Sequence, residues 1–416
     1  MHNDTEKTYG LLGRTLGHSY SPIIHRALGN DTYRLIELEP EEIGPFLDRT
    51  EIGGLNVTIP YKLEVLPYCD ARSASVEEIG AANTIVMEDG KRVAHNTDKA
   101  GFMEMTRSAG IPVEGMKVLI LGNGGASLAV KAGLKEMGAR EILALETQGD
   151  YEEELKKNMD ADVVVNCTPV GMFPHVLHSL VDLKDFPNCK GVLDVVYNPA
   201  RTALLLQAEE LGLPHAGGLR MLVAQGVKSH DLWFRETTDS AKIGEITHSL
   251  QMDAQNIILC GMPGSGKSSV ARILGELSGK PVIDLDEEIT KAAGKPIPQI
   301  FADDGETAFR DLESEQIAKF GARSGQILSL GGGAVLREQN YLPLHQNGRI
   351  YWIRRDLSLL AMNGRPLSKD RDTLKAMEKE RKPRYERFAD AIIENDGTIR
   401  QAAEQIWTEF GSADLN

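Results

Sequence analysis

Lys117-Val118-Leu119-Ile120-Leu121-Gly122-Asn123-Gly124-Gly125-Ala126 runs from an apolar strand into a glycine-rich turn and then into helical spacing. The arrangement returns at Asn256-Ile257-Ile258-Leu259-Cys260-Gly261-Met262-Pro263-Gly264-Ser265-Gly266-Lys267-Ser268. Glycines in such turns allow a tight bend and bring backbone amides to a helix start, where free N–H groups and the helix dipole favour phosphate. Two turns of this kind predict two separate nucleotide sites. The apolar runs at 141–145, 162–166 and 192–196 suit parallel strands buried on both faces. The expected fold class is therefore α/β throughout.

The 416 residues suffice for two or three compact units at about 150 residues each. Apolar residues make up 41 % and charged residues 26 %, an ordinary globular composition that argues against long disorder. Asp and Glu number 61 against 46 Lys and Arg, a formal net charge of −15. Such a surface repels nucleic acid and anionic lipid, so neither is an expected partner, and an anionic small substrate requires Arg and Lys to converge locally. No apolar run approaches the roughly 18 residues of a membrane span. Residues 1–7 are polar where a signal peptide would carry an apolar core. Cys69, Cys167, Cys189 and Cys260 are too scattered for a metal site or a disulfide framework. A cytoplasmic protein is expected.

The turn Gly122, Gly124, Gly125, Ala126 points to a dinucleotide, with Glu146 at the end of the next strand, where a ribose-reading carboxylate sits. Further motifs surround it: Gly17-His18-Ser19-Tyr20-Ser21-Pro22, Asn56-Val57-Thr58-Ile59-Pro60-Tyr61-Lys62, Gly80-Ala81-Ala82-Asn83-Thr84 and Asn96-Thr97-Asp98 before it. After it come Asn166-Cys167-Thr168-Pro169-Val170-Gly171-Met172, Asp194-Val195-Val196-Tyr197-Asn198-Pro199 and Gly217-Gly218-Leu219-Arg220-Met221-Leu222-Val223-Ala224-Gln225. Singly, each has a plain reading: a lysine after proline is usually a solvated residue, Asn-Thr-Asp a turn, and Ser-x-Ser-Pro a helix start with Ser21 as cap. Together and in this order, they resemble the shikimate dehydrogenase family. The resemblance implies catalysis by Lys62 and Asp98. It further implies substrate contacts from Ser19, Ser21, Thr58, Asn83, Tyr197 and Gln225, and dinucleotide contacts from Thr147 and Met221. Reducing a ring ketone leaves an alkoxide that needs a proton and a positive charge, both of which Lys62 can supply. Members of that family that use NADP usually carry Asn-Arg-Thr where this chain has Leu145-Glu146-Thr147. A carboxylate there repels a 2′-phosphate and accepts from a free 2′-hydroxyl, so Glu146 hints at NAD rather than NADP.

Gly261-x-x-Gly264-Ser265-Gly266-Lys267-Ser268 satisfies the P-loop pattern in full and is followed by Ser269. Its amides would cradle ATP phosphates, Lys267 would reach the transferring phosphates, and Ser268 would ligate Mg²⁺. The residues beyond it resemble shikimate kinase: Asp284-Leu285-Asp286, Gly305-Glu306-Thr307-Ala308-Phe309-Arg310 with Glu313, Gly331-Gly332-Gly333, Arg365-Pro366-Leu367 and Arg381-Lys382-Pro383-Arg384-Tyr385. The resemblance implies that Asp284 supports the Mg²⁺ shell and Asp286 takes the proton of the substrate hydroxyl. Arg310 and Arg381 would hold the substrate carboxylate, and Gly331, Gly332 and Gly333 would let backbone approach the ring. Arg365 would neutralise the moving phosphoryl group. The stretch 359–364 before it lacks the arginine that family members often place there.

These resemblances imply a two-lobed dehydrogenase followed by a P-loop kinase α/β domain. The expected division is a substrate lobe at 1–103 with a helix at 230–250 returning to it, a Rossmann-type lobe at 104–229, and a kinase domain at 254–416 after a tight junction near 251–255. The kinase segment is expected to fold and work alone. The first half's product, shikimate, would be the second half's substrate, in chorismate and aromatic amino acid synthesis. Small-molecule substrates are the expected partners, and a homodimer is compatible with the reading. Two alternatives stand beside it: a shikimate- or quinate-sensing regulator that has lost its chemistry, and a quinate-preferring dehydrogenase joined to the kinase.

Overall fold

A computed structural model describes residues 7–17, 19–49, 51–146, 150–359 and 371–412. The chain divides into two compact units. One comprises Met1–Val170, Leu180–Tyr197 and Gln207–Ser249, and the other Gly171–Ser179, Asn198–Leu206 and Leu250–Asn416.

The first unit holds two sheets. In the six-stranded one the order is Arg34–Glu37, Thr8–Gly13, Ile52–Val57, Thr84–Glu88, Lys91–His95, Ala71–Arg72. The first three run parallel, and Thr84–Glu88 is antiparallel to both of its neighbours. The second sheet is parallel, in the order His215–Ala216, Gly191–Asp194, Val163–Asn166, Lys117–Leu121, Glu141–Leu145. Glu141–Leu145, expected to be buried on both faces, is an edge strand that is fully buried only at Leu145, whereas Lys117–Leu121, Val163–Asn166 and Gly191–Asp194 are buried along their whole length. The last of these stops at Asp194, short of Val196, because the Asp194 carboxylate accepts the Val196 N–H at 3.0 Å. The strand order reverses at Lys117–Leu121, which is followed in the chain by Glu141–Leu145 on one side and Val163–Asn166 on the other, and ligands bind beyond the carboxyl ends of strands at such a switch point.

The helix that returns to the substrate lobe spans Leu219–Phe234, earlier than the expected 230–250. It packs on Asp98–Ser108, Ser21–Ala27 and the strands Ile52–Val57 and Thr84–Glu88, with Trp233 Nε1 donating to Ile85 O at 3.0 Å. It ends where Arg235 takes a left-handed conformation, φ 56°, and a separate helix runs Ser240–Ala254. One residue later strand Asn256–Cys260 begins.

The second unit is a parallel five-stranded sheet ordered Val282–Asp284, Ile327–Ser329, Asn256–Cys260, Gly348–Arg354, Ala391–Glu394. Alternation along the central strand serves both faces. Ile258 and Cys260 join one apolar cluster with Leu328 and Trp352, while Ile257 and Leu259 join another with Tyr351 and Phe410.

Residues upstream of 254 take part in this unit. Arg201 is buried, and its guanidinium donates to the carbonyls of His345 (2.9 Å) and Gly348 (2.5 Å). Its backbone N–H donates to Gln346 O (2.8 Å), and the N–H of Ala200 to Asn347 Oδ1 (2.9 Å). These bonds satisfy the turn that feeds strand Gly348–Arg354. Leaving such carbonyls buried without donors costs about 3 kcal/mol. A fragment of residues 254–416 should therefore unfold at a lower temperature than the kinase unit of the full chain, and Arg201→Ala in the full chain should lower the same transition. Equal midpoints in thermal inactivation of phosphoryl transfer would show that Asn198–Leu206 contributes nothing.

Candidate active sites

Lys62 and Asp98 meet beyond the carboxyl ends of Ile52–Val57 and Lys91–His95, two interior strands of the six-stranded sheet. Lys62 follows the turn that closes strand Ile52–Val57, where Thr58 N–H donates to Leu12 O (3.0 Å) and Tyr61 N–H to Thr58 O (2.9 Å). Its own carbonyl accepts the Ala82 N–H at 2.8 Å. Asp98 opens helix Asp98–Ser108, its N–H donating to Asn96 Oδ1 at 3.0 Å. Lys62 Nζ lies 2.6 Å from Asp98 Oδ2, and the two side chains are 24 % and 13 % exposed, so neither is sealed from solvent. Asn83 Nδ2 donates to Asp98 Oδ1 (2.8 Å) and lies 3.2 Å from Gln225 Oε1. Four residues chosen from the sequence thus form one bonded cluster.

Behind it lies a buried polar layer to which neither motif nor resemblance assigns a role. Thr97 donates its N–H to Asn83 Oδ1 (2.7 Å), and Ser229 Oγ receives Asn56 Nδ2 (2.7 Å) and lies 2.7 Å from Thr84 Oγ1. Asn56 Oδ1 accepts from Tyr33 OH (2.8 Å) and faces His25 Nε2 (3.1 Å). Burial lowers the pKa of His25 to about 3, so its ring is neutral and donates from Nε2. Ser229 could have been found in the sequence, since it lies one helical turn beyond Gln225 on the same face.

Ser19, Ser21, Thr58 and Tyr197 make no hydrogen bond to the Lys62 cluster among the described residues. Ser21 is the first residue of its helix rather than the cap, and its N–H donates to Ser19 Oγ at 3.2 Å. Tyr20 and Tyr197 pack with ring centroids 5.8 Å apart. Burial raises the Tyr197 pKa, keeping its hydroxyl a neutral donor.

At the parallel sheet, Gly122 turns with φ 98°, and a Cβ there would lie 2.6 Å from Thr168 Cγ2. Gly124 caps helix Gly125–Glu136, and open space faces both Gly124 and Gly125, room that a pyrophosphate fits. Glu146 is exposed and accepts from Asn123 Nδ2 at 3.3 Å, while Lys131 Nζ donates to Asn123 Oδ1 at 2.6 Å. Met221 is 9 % exposed and belongs to the apolar cluster beneath the sheet. Thr147 lies outside the described residues.

In the second unit a cavity of about 580 Å³ is lined by Gly264, Gly266, Lys267, Ser268, Ser269, Asp284, Asp286, Arg310, Gly331–Gly333 and Arg381, while Ser265 is buried beneath it. Lys267 Nζ donates to Gly261 O (2.9 Å) and Met262 O (3.1 Å). Ser268 Oγ donates to Asp284 Oδ2 (2.7 Å), and Asp284 Oδ1 accepts the Asp286 N–H (3.1 Å) at the start of helix Leu285–Ala293. That serine–carboxylate pair is the oxygen-donor set a hard divalent cation takes, so the residues fit Mg²⁺. Close approach dictates the glycines: a Cβ on Gly331 would lie 2.8 Å from Glu313 Oε1 and 2.9 Å from Asp286 Oδ1, and one on Gly333 2.3 Å from Arg310 Nη1. Arg310, read from the sequence as a carboxylate clamp, is already engaged with Glu313 (2.6 Å) and Glu306 (3.3 Å). Glu313 is buried, and desolvation pushes its pKa up against the pull of Arg310. Arg381 donates to Gly332 O at 3.0 Å. Arg365 lies outside the described residues.

One unit thus holds a lysine–carboxylate pair and a dinucleotide-type turn, and the other a P-loop beside a carboxylate and two arginines. This is an oxidoreductase joined to a phosphotransferase. The family model for the shikimate dehydrogenase substrate binding domain matches residues 11–85, and that for shikimate kinase matches residues 263–410. The chain is 35 % identical over 253 residues to the NADP(+) shikimate dehydrogenase of Caldicellulosiruptor bescii, covering 54 % of this chain and 88 % of that one. Among solved structures, a chorismate mutase/shikimate 5-dehydrogenase fusion protein from Clostridium acetobutylicum is 33 % identical with a TM-score of 0.56, covering 59 % of this chain and 98 % of that one. The shikimate 5-dehydrogenase of Listeria monocytogenes, solved with shikimate and NAD, is 29 % identical with a TM-score of 0.53, covering 59 % and 97 %. The chain belongs to the shikimate dehydrogenase family and carries a shikimate kinase domain after it. It is a bifunctional enzyme of the shikimate pathway.

Proposed function

We propose that the chain reduces 3-dehydroshikimate to shikimate and then phosphorylates shikimate to shikimate 3-phosphate. The observation that carries this reading is the 2.6 Å Lys62–Asp98 pair, bound through Asn83 to Gln225. Lys62 gives its proton to the ring oxygen as negative charge develops there, and Asp98 orients the ammonium and accepts from a neighbouring ring hydroxyl. Asn83 and Gln225, with Ser19, Ser21, Thr58 and Tyr197, offer neutral donors and acceptors suited to a polyhydroxylated acid. In the second unit Asp286 takes the proton of the attacking hydroxyl, and Arg310 and Arg381 hold the carboxylate, Arg310 by exchanging part of its bond to Glu313. When bound, the nicotinamide dinucleotide supplies the hydride, and ATP with Mg²⁺ the phosphoryl group. Ser268 and Asp284 hold the cation, and Gly261–Ser269 the phosphates.

The regulator alternative predicts loss of the proton-transfer or phosphate-handling groups. Lys62, Asp98, Lys267, Asp286 and Arg310 are all present. Supplying 3-dehydroshikimate, NADH or NADPH, and ATP with Mg²⁺ should yield shikimate followed by shikimate 3-phosphate. Failure of either product to form from its own substrate would remove that half of the proposal. The proposed compartment is the cytoplasm, in keeping with four free cysteines; no helix among the described residues is long and apolar enough to cross a membrane.

For the dinucleotide we propose NAD, although the relatives named NADP(+) point the other way. Glu146 stands at the strand end facing the turn, and its charge opposes a 2′-phosphate. The parent should use NADH at least as well as NADPH, and Glu146→Arg should shift the kcat/KM ratio toward NADPH by about tenfold. A strong NADPH preference in the parent would show that the charge of Glu146 does not set the choice.

A further inference from the structure

We infer that Arg355 binds the phosphate chain of the nucleotide in the second unit, a reading that rests on the kinase assignment above. Strand Gly348–Arg354 lies parallel to the P-loop strand, with Cys260 opposite Trp352, so both chains leave the sheet at the same edge. Arg355 is the first residue beyond one strand, as Gly261 is beyond the other. The two exits are packed together: a Cβ on Gly261 would fall 2.4 Å from Ile353 O. Asn395 joins them from the third side, its N–H donating to Arg354 O (2.8 Å) and its amide to Ser265 O (2.7 Å). From this layer Arg355 lines the same cavity as Gly264, Gly266 and Ser268.

Charge separates Arg355 from its neighbours. Arg354 is paired with Glu394 and lies over the Trp352 ring at 5.7 Å. Among the other cations of the cavity, Lys267 holds two carbonyls, Arg310 two carboxylates and Arg381 the Gly332 carbonyl. The Arg355 side chain makes no hydrogen bond or ion pair among the described residues, and its Nε–H is buried without an acceptor. A buried donor without a partner is destabilising, and the polyanion that the P-loop cradles is the group that relieves it. A planar guanidinium offers phosphate oxygens two parallel donors, which an ammonium does not.

The test uses the full chain, with Arg355→Gln and Arg355→Lys, and ADP, ATP and adenosine as probes in the presence of Mg²⁺. In Arg355→Gln the Kd for ADP and the KM for ATP should rise about tenfold, the usual scale for a lost charge-assisted bond, with lysine restoring part of the loss. The KM for shikimate, adenosine binding and dehydrogenase turnover should stay within about twofold of the parent. An unchanged Kd for ADP overturns the inference. So does an equal loss for ADP and adenosine, which would place Arg355 on the base, or a rise confined to the KM for shikimate. A parent that binds ADP yet transfers nothing to shikimate would sink the kinase reading and leave the Arg355 comparison intact.

Discussion

Replacing Lys62 with alanine is expected to lower dehydrogenase turnover by at least about 10²-fold, the scale of a positioned acid–base group. The loss should fall mainly on kcat, because the ammonium matters most as charge appears on the ring oxygen, while Asn83 and Gln225 still grip the substrate. Truncation also leaves Asp98 with Asn83 as its remaining partner of the pair described, so Lys62→Met, which keeps the stem, separates lost chemistry from lost packing. Both variants should phosphorylate added shikimate at the parental rate, since Lys62 belongs to the first unit. Steady-state assays of both reactions on one preparation decide the matter. A parallel fall in the two activities would mean misfolding and would remove Lys62 from the mechanism.

Asp286→Asn should abolish phosphoryl transfer, by about 10²-fold or more, without weakening ADP. The substitution keeps shape and removes the carboxylate that receives the hydroxyl proton. Asp286 Oδ1 sits 2.9 Å from the Cβ position of Gly331, so an isosteric amide fits where a longer side chain would not. The Asp286 N–H remains on Asp284 Oδ1, leaving the proposed cation-binding pair of Ser268 and Asp284 in place. Calorimetric titration with ADP and Mg²⁺ alongside the rate gives both readouts. Retained turnover would assign proton acceptance to another group, and a proportional loss of ADP affinity would make Asp286 part of the nucleotide site.

Local pattern made much of the molecule legible. The two strand–turn–helix units lie where the glycines place them, and the strand at Glu141–Leu145 has the predicted limits. Element ends were less legible, because side chains decided them. Asp194 stops a strand by capping Val196, and Arg235 breaks the returning helix by turning left-handed. The cluster of Lys62, Asp98, Asn83 and Gln225 could be anticipated only through a resemblance, since no periodicity relates residues on four separate elements. Thr97 and Ser229, which support that cluster from behind, had no signal apart from the turn separating Ser229 from Gln225.

By itself the sequence determined the backbone's local choices: which segments are strands, where glycine must turn, and which two loops can take phosphate. Those choices depend on dihedral preference and on neighbours within a few residues. Tertiary structure alone decided which charges are paired within the protein and which are not. Arg310, Arg354 and Arg355 are the same residue type, and each follows an apolar residue or another arginine. Yet Arg310 is held by Glu313 and Glu306, Arg354 by Glu394, and Arg355 by no side chain among the described residues. It likewise decided that Arg201, far upstream of the P-loop, satisfies the carbonyls of His345 and Gly348 in the kinase unit. A hydrogen bond needs its partners within about 3 Å, and only packing brings residues so distant in the chain to that separation.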